Sequence, residues 1–149
     1  MTIALKTHES FMKKALALAE QAKEEGEVPV GAVIVYKNIV IGKGYNQTEK
    51  LKDATAHAEM IAITAAAEYL NSKYLKNCTL YVSLEPCLMC GGALMWSQLD
   101  HIVYGAADKE RGCISTSKHL LPIKTNIVKG VLEAECSALI KQFFIEKRA

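Results

Sequence analysis

Apolar residues at helical spacing occur near both ends of the chain. Near the amino terminus, between the expected cap Thr7 and the expected stop Gly26, the stripe comprises Phe11, Met12, Ala15, Leu16, Ala19 and Ala22. Near the carboxyl terminus it comprises Leu132, Cys136, Leu139, Ile140, Phe143 and Phe144, followed by the basic residues Lys147 and Arg148. Both segments are therefore predicted to be amphipathic helices packed on a core.

Short β-branched runs lie between these two helices. Residues 32–36 and 39–41 flank a turn at Lys37-Asn38 and form a predicted hairpin, and further strands are predicted at 79–83, 102–104 and 126–129. The hairpin runs are apolar on successive residues. This pattern indicates a sheet that is covered on both faces.

Two more helices are predicted between the strands. One begins at the cap Thr55 and runs to about Tyr69, and the other has Pro86 in its first turn and ends near Ser97. The order α-β-β-α-β-α-β-β-α predicts an α/β fold, a three-layer α-β-α sandwich with a mixed sheet of about five strands. Because no repeat or linker divides the 149 residues, we expect one domain spanning 1–149.

Composition narrows the class of protein. Half of the chain is hydrophobic and 23% is charged, which excludes a disordered tail, a collagen-like repeat and a coiled coil. The apolar runs are too short to cross a bilayer, and the amino terminus lacks the pattern of a signal peptide. Five cysteines without such a signal are expected to be thiols, metal ligands or catalytic groups in the cytoplasm, with no membrane partner.

The net charge of +2 is too small to indicate a nucleic-acid binder by itself. It is unevenly divided, at −1 over residues 1–104 and +3 over residues 105–149. A basic carboxyl-terminal third is compatible with an edge that faces phosphates. A solvated surface with chance asymmetry explains the same distribution, including Lys141, Lys147 and Arg148 on the last helix.

Two segments contain groups that can bind a metal and transfer protons. Cys87-x-x-Cys90 opens one predicted helix, where the helix dipole favours the thiolate that binds metal, and His57 at the start of another helix can supply a third ligand. A Cys₂His set suits zinc, and three protein ligands leave a position for water, as in catalytic sites. Glu59 is then the expected general acid and base beside the metal.

These motifs differ in specificity. His-x-Glu alone is weak, and Cys-x-x-Cys alone is also typical of thioredoxin-like redox proteins. His-x-Glu followed by Pro-Cys-x-x-Cys is the signature of the zinc-dependent deaminases of nucleobases. Cys78, Cys113 and Cys136 have no partner at ligand spacing, and Cys136 is expected to be a buried thiol. A fourth ligand from Cys113 would close the site and weaken the enzymatic interpretation.

Over almost its whole length the chain resembles the bacterial tRNA-specific adenosine deaminases, members of the cytidine deaminase-like superfamily. The matching blocks are Gly26–Ala32, Thr55–Glu59, Leu80–Cys87 with Met89-Cys90, Val103–Ala106, Glu135-Cys136 and Phe143-Phe144. The resemblance implies that His57, Cys87 and Cys90 hold Zn²⁺ and that Glu59 shuttles the proton. It also implies a homodimer that converts the wobble adenosine in a tRNA anticodon arm to inosine.

The resemblance further implies which residues contact the substrate. Asn46 would hydrogen-bond the flipped nucleoside, Asp108 would lie near a flanking ribose, and Val30 and Ala58 are expected contacts. Taken alone, Asn46 fits an ordinary turn residue, and Asp108 fits a solvated loop acid or a helix cap equally well. Residues 112–125 form a shorter connection than in many relatives, so RNA contacts of that loop do not carry over.

Other interpretations remain open at this point. The zinc motif serves cytosine, cytidine or guanine deamination by the same chemistry as adenosine deamination, so a free base or nucleoside is an alternative substrate. A non-enzymatic zinc module that binds RNA is a third interpretation. Met95 and Trp96, on the predicted zinc helix, fit either the core or a subunit interface.

Overall fold

The computed structural model describes residues 2–148, with side chains described from Leu5 onward. The described residues form helices and strands in the predicted order, with one short helix more than the sequence predicted. They are α1 (Thr2–Glu24), β1 (Gly31–Tyr36), β2 (Ile39–Tyr45), α2 (Ala58–Leu70), β3 (Cys78–Leu84), α3 (Leu88–Trp96), β4 (His101–Ala106), α4 (Cys113–Thr116), β5 (Asn126–Val128) and α5 (Glu133–Arg148).

The five strands form one mixed sheet in the order β2-β1-β3-β4-β5. The β1 strand pairs antiparallel with β2 and with β3, whereas β3, β4 and β5 run parallel. Parallel neighbours require a crossover, and α3 supplies the one between β3 and β4. The carboxyl ends of β3 and β4 therefore meet at one edge of the sheet, together with the end of β2 and the start of β1.

Alternating side chains of the strands face two separate apolar clusters, one on each side of the sheet. Ile34, Leu80 and Ile102 pack with buried residues of α2 and α3. Val33 and Val103 lie on the opposite side, with buried residues of α1 and α5. Both faces are thus covered by helices, and the predicted three-layer α-β-α sandwich is confirmed.

Two glycines allow α2 to lie unusually close to β2. A Cβ added at Gly42 would lie 2.5 Å from the carbonyl oxygen of Ala62, and one at Gly44 would lie 2.2 Å from that of Ala58. Any side chain at these positions would separate the helix from the sheet. The sequence Gly-x-Gly in β2 therefore determines how near the start of α2 lies to the sheet edge.

The ends of three helices differ from prediction. The first helix starts at Thr2 and runs through Thr7, which is therefore not its cap. The second begins at Ala58 with His57 as N-cap. Thr55 does not cap it, because the amide and the hydroxyl of Thr55 both donate to the Asp53 carboxylate in a turn. The third begins at Leu88 with Cys87 as N-cap, so Pro86 precedes that helix instead of lying in its first turn.

The end of α1 was predicted correctly. Gly26 adopts a left-handed conformation with φ of +80°, and the amide of Glu27 donates to the carbonyl of Ala22, as in a Schellman motif.

Among the described residues, no helix is both long and apolar enough to cross a membrane.

Candidate active site

A cavity of about 640 Å³ opens at the sheet edge where β3 and β4 end. Ligand sites in α/β sheets typically lie beyond the carboxyl ends of parallel strands. One wall comes from the segments flanking β1 and β2, the second from residues 107–111, and α5 contributes Ile140 and Phe144. His57, Glu59 and Cys87 line the same cavity, so it contains the groups that the sequence had singled out.

The His57, Cys87 and Cys90 side chains converge, with one potential ligand atom from each lying within 4.8 Å of the others. His57 Nδ1 lies 3.6 Å from the Sγ atom of Cys87 and 3.6 Å from that of Cys90. As N-cap of α2, His57 makes no side-chain capping bond, so its ring is available for the cluster. One imidazole and two thiols in this arrangement fit zinc, which accepts nitrogen and sulfur ligands.

The pKa values of the Cys87 and Cys90 thiols are shifted in opposite directions. A hydrogen bond from Cys90 lowers the pKa of Cys87 to about 3, helped by contacts with His57 and the Cys90 backbone amide. The same pairing raises the pKa of Cys90, which is buried. The Cys87 thiolate in turn raises the pKa of His57. The site therefore stabilises at least one thiolate, the form that binds metal.

Glu59, in the first turn of α2, is the buried acid of the site, with 3% of its surface exposed. The pKa of its carboxyl is raised to about 7, mainly by burial and in part by the Cys87 thiolate, whereas His57 opposes the shift. A carboxyl group with a pKa in that range can accept and return a proton near neutral pH. Its place on the cavity wall suits it to that task.

Among the described residues, the cluster of potential metal ligands comprises His57, Cys87 and Cys90 and does not include Cys113. Cys113 is buried against α3, where a Cβ added at Gly91 would lie 2.8 Å from its sulfur. Burial also raises its pKa to about 11, which disfavours the thiolate. The arrangement therefore offers three protein ligands to a metal.

Val30 and Asn46 both line the cavity. The side-chain oxygen of Asn46 accepts a hydrogen bond from the backbone amide of Ala58 at 2.9 Å, which ties the end of β2 to the start of α2. This bond occupies the side-chain oxygen as an acceptor, and the side-chain NH₂ group of Asn46 is a donor. The methyl group of Ala58 is fully buried, so this residue lies behind the cavity wall.

Asp108 lines the opposite wall, and its carboxylate also organises the local backbone. One oxygen accepts from the amide of Glu110 at 3.2 Å and from that of Arg111 at 3.0 Å. These bonds form an Asx-type turn, and Asp108 is not a helix cap, because the N-cap of α4 is Gly112. The second carboxylate oxygen makes neither of these bonds.

Two buried acids near the cavity were missed by sequence reasoning. The Glu27 carboxylate accepts bonds from the Thr48 hydroxyl and from the amides of Glu49 and Lys50. Glu85 is bonded to the 107–116 segment on the other side. Neither acid had a recognisable partner in sequence, although Glu85 directly precedes the Pro-Cys-x-x-Cys motif.

The structure also decides where the remaining predicted residues lie. Cys136 is buried, as expected, and Cys78 is buried as well. Trp96 has 78% of its surface exposed, so it does not belong to the core of this chain. Lys141, Lys147 and Arg148 are exposed on α5, in agreement with the solvated-face interpretation.

The fold and the His/Cys/Cys cluster define a zinc-binding deaminase domain. Residues 5–106 match the family described as "Cytidine and deoxycytidylate deaminase zinc-binding region", and the chain belongs to this family.

Named relatives narrow the class further. The tRNA-specific adenosine deaminase of Aquifex aeolicus is 46% identical over 145 residues, which cover 94% of this chain and 95% of that protein. The resemblance to that group is thus confirmed. A solved structure from studies of A-to-I editing by tRNA:A34 deaminases at the wobble position of transfer RNA has a TM-score of 0.82 and 36% identity, and the match covers 87% of this chain and 98% of that chain. The solved structure of a guanine deaminase from Bacillus subtilis has a TM-score of 0.64 and 41% identity, and the match covers 67% of this chain and 64% of that chain.

Proposed function

We propose that this chain is a tRNA adenosine deaminase, in which residues 1–149 form a single zinc-dependent domain. It converts the wobble adenosine of a tRNA anticodon to inosine, with water consumed and ammonia released. The observation that carries the proposal is the His57, Cys87 and Cys90 cluster with buried Glu59 beside it, within a chain similar along nearly its full length to tRNA-specific adenosine deaminases.

We assign the metal to zinc, with His57, Cys87 and Cys90 as its ligands. When bound, zinc supplies Lewis acidity that makes water nucleophilic near neutral pH. Glu59 would act as the general base and acid, taking up a proton from the attacking water and returning one to the leaving amino group, since its carboxyl is buried on the cavity wall.

The substrate base is oriented by the wall that carries Val30 and Asn46. With its oxygen held by the Ala58 amide, Asn46 presents its amide nitrogen as a donor to an acceptor atom of the flipped nucleoside. On the facing wall, Asp108 is our assignment for the contact with a flanking ribose. Ala58 takes part through its bond to Asn46, because its methyl group is buried.

Exposed cations on the cavity wall are compatible with RNA as the substrate. Lys109 and Arg111 both line the cavity and are exposed to solvent. Cations at these positions can contact the phosphates on either side of a flipped nucleotide. The similarity to a guanine deaminase structure keeps a free base as the second candidate. A non-enzymatic zinc module is disfavoured, because such a module has no need of a buried acid beside the metal ligands.

The decisive experiment offers zinc-loaded protein a tRNA with adenosine at the wobble position and measures inosine in the recovered RNA. We expect inosine from the parent and a loss of several orders of magnitude in Glu59→Ala with zinc retained, because proton transfer and water activation fail together. Glu49→Ala removes an exposed glutamate outside the cavity lining and serves as the control.

Each outcome of this experiment separates the candidate functions. No inosine from zinc-loaded parent protein on any adenosine-wobble tRNA overturns the proposal. Turnover of free guanine or cytidine at rates equal to those on tRNA reverses the ranking of substrates. A Glu59→Ala variant as active as the parent removes Glu59 from the mechanism.

We further propose that the enzyme is a homodimer and acts in the cytoplasm, where thiols stay reduced. An apolar stripe of α3, formed by Leu88, Met89 and Trp96, is exposed in the single chain. Exposed apolar surface of this kind is typical of a protein interface. Sedimentation of the parent should give a dimer mass and Trp96→Glu a monomer mass, whereas a monomeric parent contradicts the assignment.

A further inference from the structure

Glu85 is a buried carboxylate that is fully engaged by one segment of the chain. Only 2% of its surface is exposed. One oxygen accepts from the Asp108 amide at 3.0 Å and the Ser115 hydroxyl at 2.7 Å. The other accepts from the amides of Ile114 at 3.0 Å and Ser115 at 2.7 Å. Burying a carboxylate is costly unless it is paired in this way, so the site is built around these donors.

All four donors belong to residues 107–116, and part of this segment forms a wall of the cavity. The Asp108 amide donates to Glu85, while the Asp108 carboxylate accepts from the Glu110 and Arg111 amides. A continuous chain of hydrogen bonds thus runs from Glu85 to the turn that carries Arg111. The segment also passes directly over the carboxylate, since a Cβ added at Gly112 would lie 2.1 Å from Glu85 Cδ.

Backbone bonds hold the two ends of this wall independently of the Glu85 side chain. The Glu85 amide donates to the Ala106 carbonyl at 2.8 Å, and the Cys113 amide donates to the Pro86 carbonyl at 2.8 Å. Between these anchors, the carboxylate of Glu85 fixes Asp108. Because Glu85 lies two residues before Cys87, the same peptide segment supplies a metal ligand and the support of the wall.

We infer that Glu85 is a positioning residue for RNA binding, which sets the 107–111 wall at a defined place relative to the metal ligands. Although Glu85 borders the cavity, only 2% of its surface is exposed and both carboxylate oxygens are engaged by the wall, so it acts through the backbone of Asp108. This inference rests on the proposed function for the identity of the substrate. The bonds themselves are properties of the free protein and can be tested without RNA.

Glu85→Gln changes this network at a single point. With its oxygen toward Ile114 and the Ser115 amide, the glutamine retains those two bonds, and its NH₂ group can donate to the Ser115 hydroxyl. The same NH₂ group faces the Asp108 amide, so two donors oppose each other there. We expect hydrogen exchange at the Asp108 amide to accelerate at least about tenfold, the effect of losing one such bond, while exchange at Ser115 changes little.

The functional readout is the division of the effect between KM and kcat. On adenosine-wobble tRNA we expect Glu85→Gln to raise KM about tenfold with kcat and zinc content close to those of the parent, since a displaced wall weakens RNA binding. Glu24→Gln makes the same change at an exposed position of α1 and should behave as the parent. If Glu85→Gln does not fold, Ser115→Ala tests the inference instead. This variant loses the hydrogen bond from the Ser115 hydroxyl to Glu85, and we expect its KM to rise about threefold.

The outcomes separate this inference from the proposed function. Parent protein that forms no inosine defeats the proposed function, whereas Asp108 exchange still tests the positioning of the wall. A folded Glu85→Gln with unchanged Asp108 exchange and unchanged KM overturns the inference. A joint fall in zinc content and kcat at constant KM also overturns it, because it assigns Glu85 a purely structural role. In the Ser115→Ala variant, a KM equal to that of the parent has the same meaning.

Discussion

Adding one methyl group to β2 should displace the helix start that carries His57 and Glu59. In Gly44→Ala, the new Cβ would lie 2.2 Å from the Ala58 carbonyl oxygen, 2.9 Å from the Ala62 nitrogen and 3.1 Å from the Ile61 Cβ. Favourable contacts between non-bonded atoms begin at about 3.5 Å, so α2 must retreat from the sheet by about 1 Å. The contact is with backbone, which no change of rotamer can relieve.

The size of the effect follows from this displacement. Overpacking of a core costs about 1–3 kcal/mol of the free energy of unfolding. For a chain of this length, each kcal/mol lowers Tm by about 2–4 °C, so we expect a fall of about 2–12 °C. A shift of about 1 Å between His57 on α2 and the cysteines on α3 should also reduce kcat by about 10²-fold.

Three measurements test this reasoning on Gly44→Ala. Thermal unfolding of the zinc-loaded protein by circular dichroism gives Tm, competition with a chelator gives zinc affinity, and inosine formation gives kcat. Lys43→Ala is the matched control, because it alters the adjacent residue of the same strand at an exposed side chain and should change stability by no more than about 0.5 kcal/mol. Parent-like Tm and zinc affinity in Gly44→Ala would refute the claim that this contact positions α2.

Three further predictions concern the metal, a buried thiol and a buried acid. Chelation should abolish inosine formation and zinc should restore it in the parent but not in His57→Ala; equal recovery in both would contradict His57 as a ligand. Burial raises the pKa of Cys136 from 9.0 to about 12, so the stabilisation from its neutral thiol is complete below pH 9 and lost as the pH rises towards 12. Between pH 9 and pH 12, the free energy of unfolding measured with urea should therefore fall less in Cys136→Ala than in the parent. An equal fall in both proteins would contradict this effect of the buried thiol. Glu27→Gln turns one carboxylate oxygen into an NH₂ donor that opposes the backbone amide of either Glu49 or Lys50, so urea unfolding should show a loss of about 1–3 kcal/mol; a loss smaller than about 0.5 kcal/mol would contradict this account.

Local pattern was sufficient to predict most of the fold. The β-branched runs located all five strands, although β2 extends to Tyr45 and β4 to Ala106. These extensions contain Gly42, Gly44 and Gly105, which strand propensity disfavours and which the packing of helices on the sheet requires. The short helix α4 was missed because its amides are satisfied by Glu85, a residue distant in sequence.

Helix starts were predicted less well, since caps depend on competing partners. Thr55 has the right residue type for an N-cap, yet its amide and hydroxyl donate to Asp53. The N-cap position of α2 then falls to His57, whose side chain makes no cap and instead meets Cys87 and Cys90.

The sequence by itself determined the chemical groups of the site, because each motif is short and each belongs to one helix start. His57 and Glu59 are two residues apart, and Cys87 and Cys90 are separated by a single turn, so the combined signature, and not either spacing alone, predicted a candidate set of metal ligands with an acid beside it. The likeness to zinc-dependent deaminases could be recognised from the same residues.

Only the tertiary structure decided which distant residues support that site and which do not. It holds Cys113 outside the ligand group and buries Glu85 against donors 23 to 30 positions further along the chain. Whether a carboxylate can be buried depends on donors that folding brings to it. The sequence pattern near Glu85 does not predict these donors. The physical reason is that buried charge is stabilised by contacts that are local in space and remote in sequence.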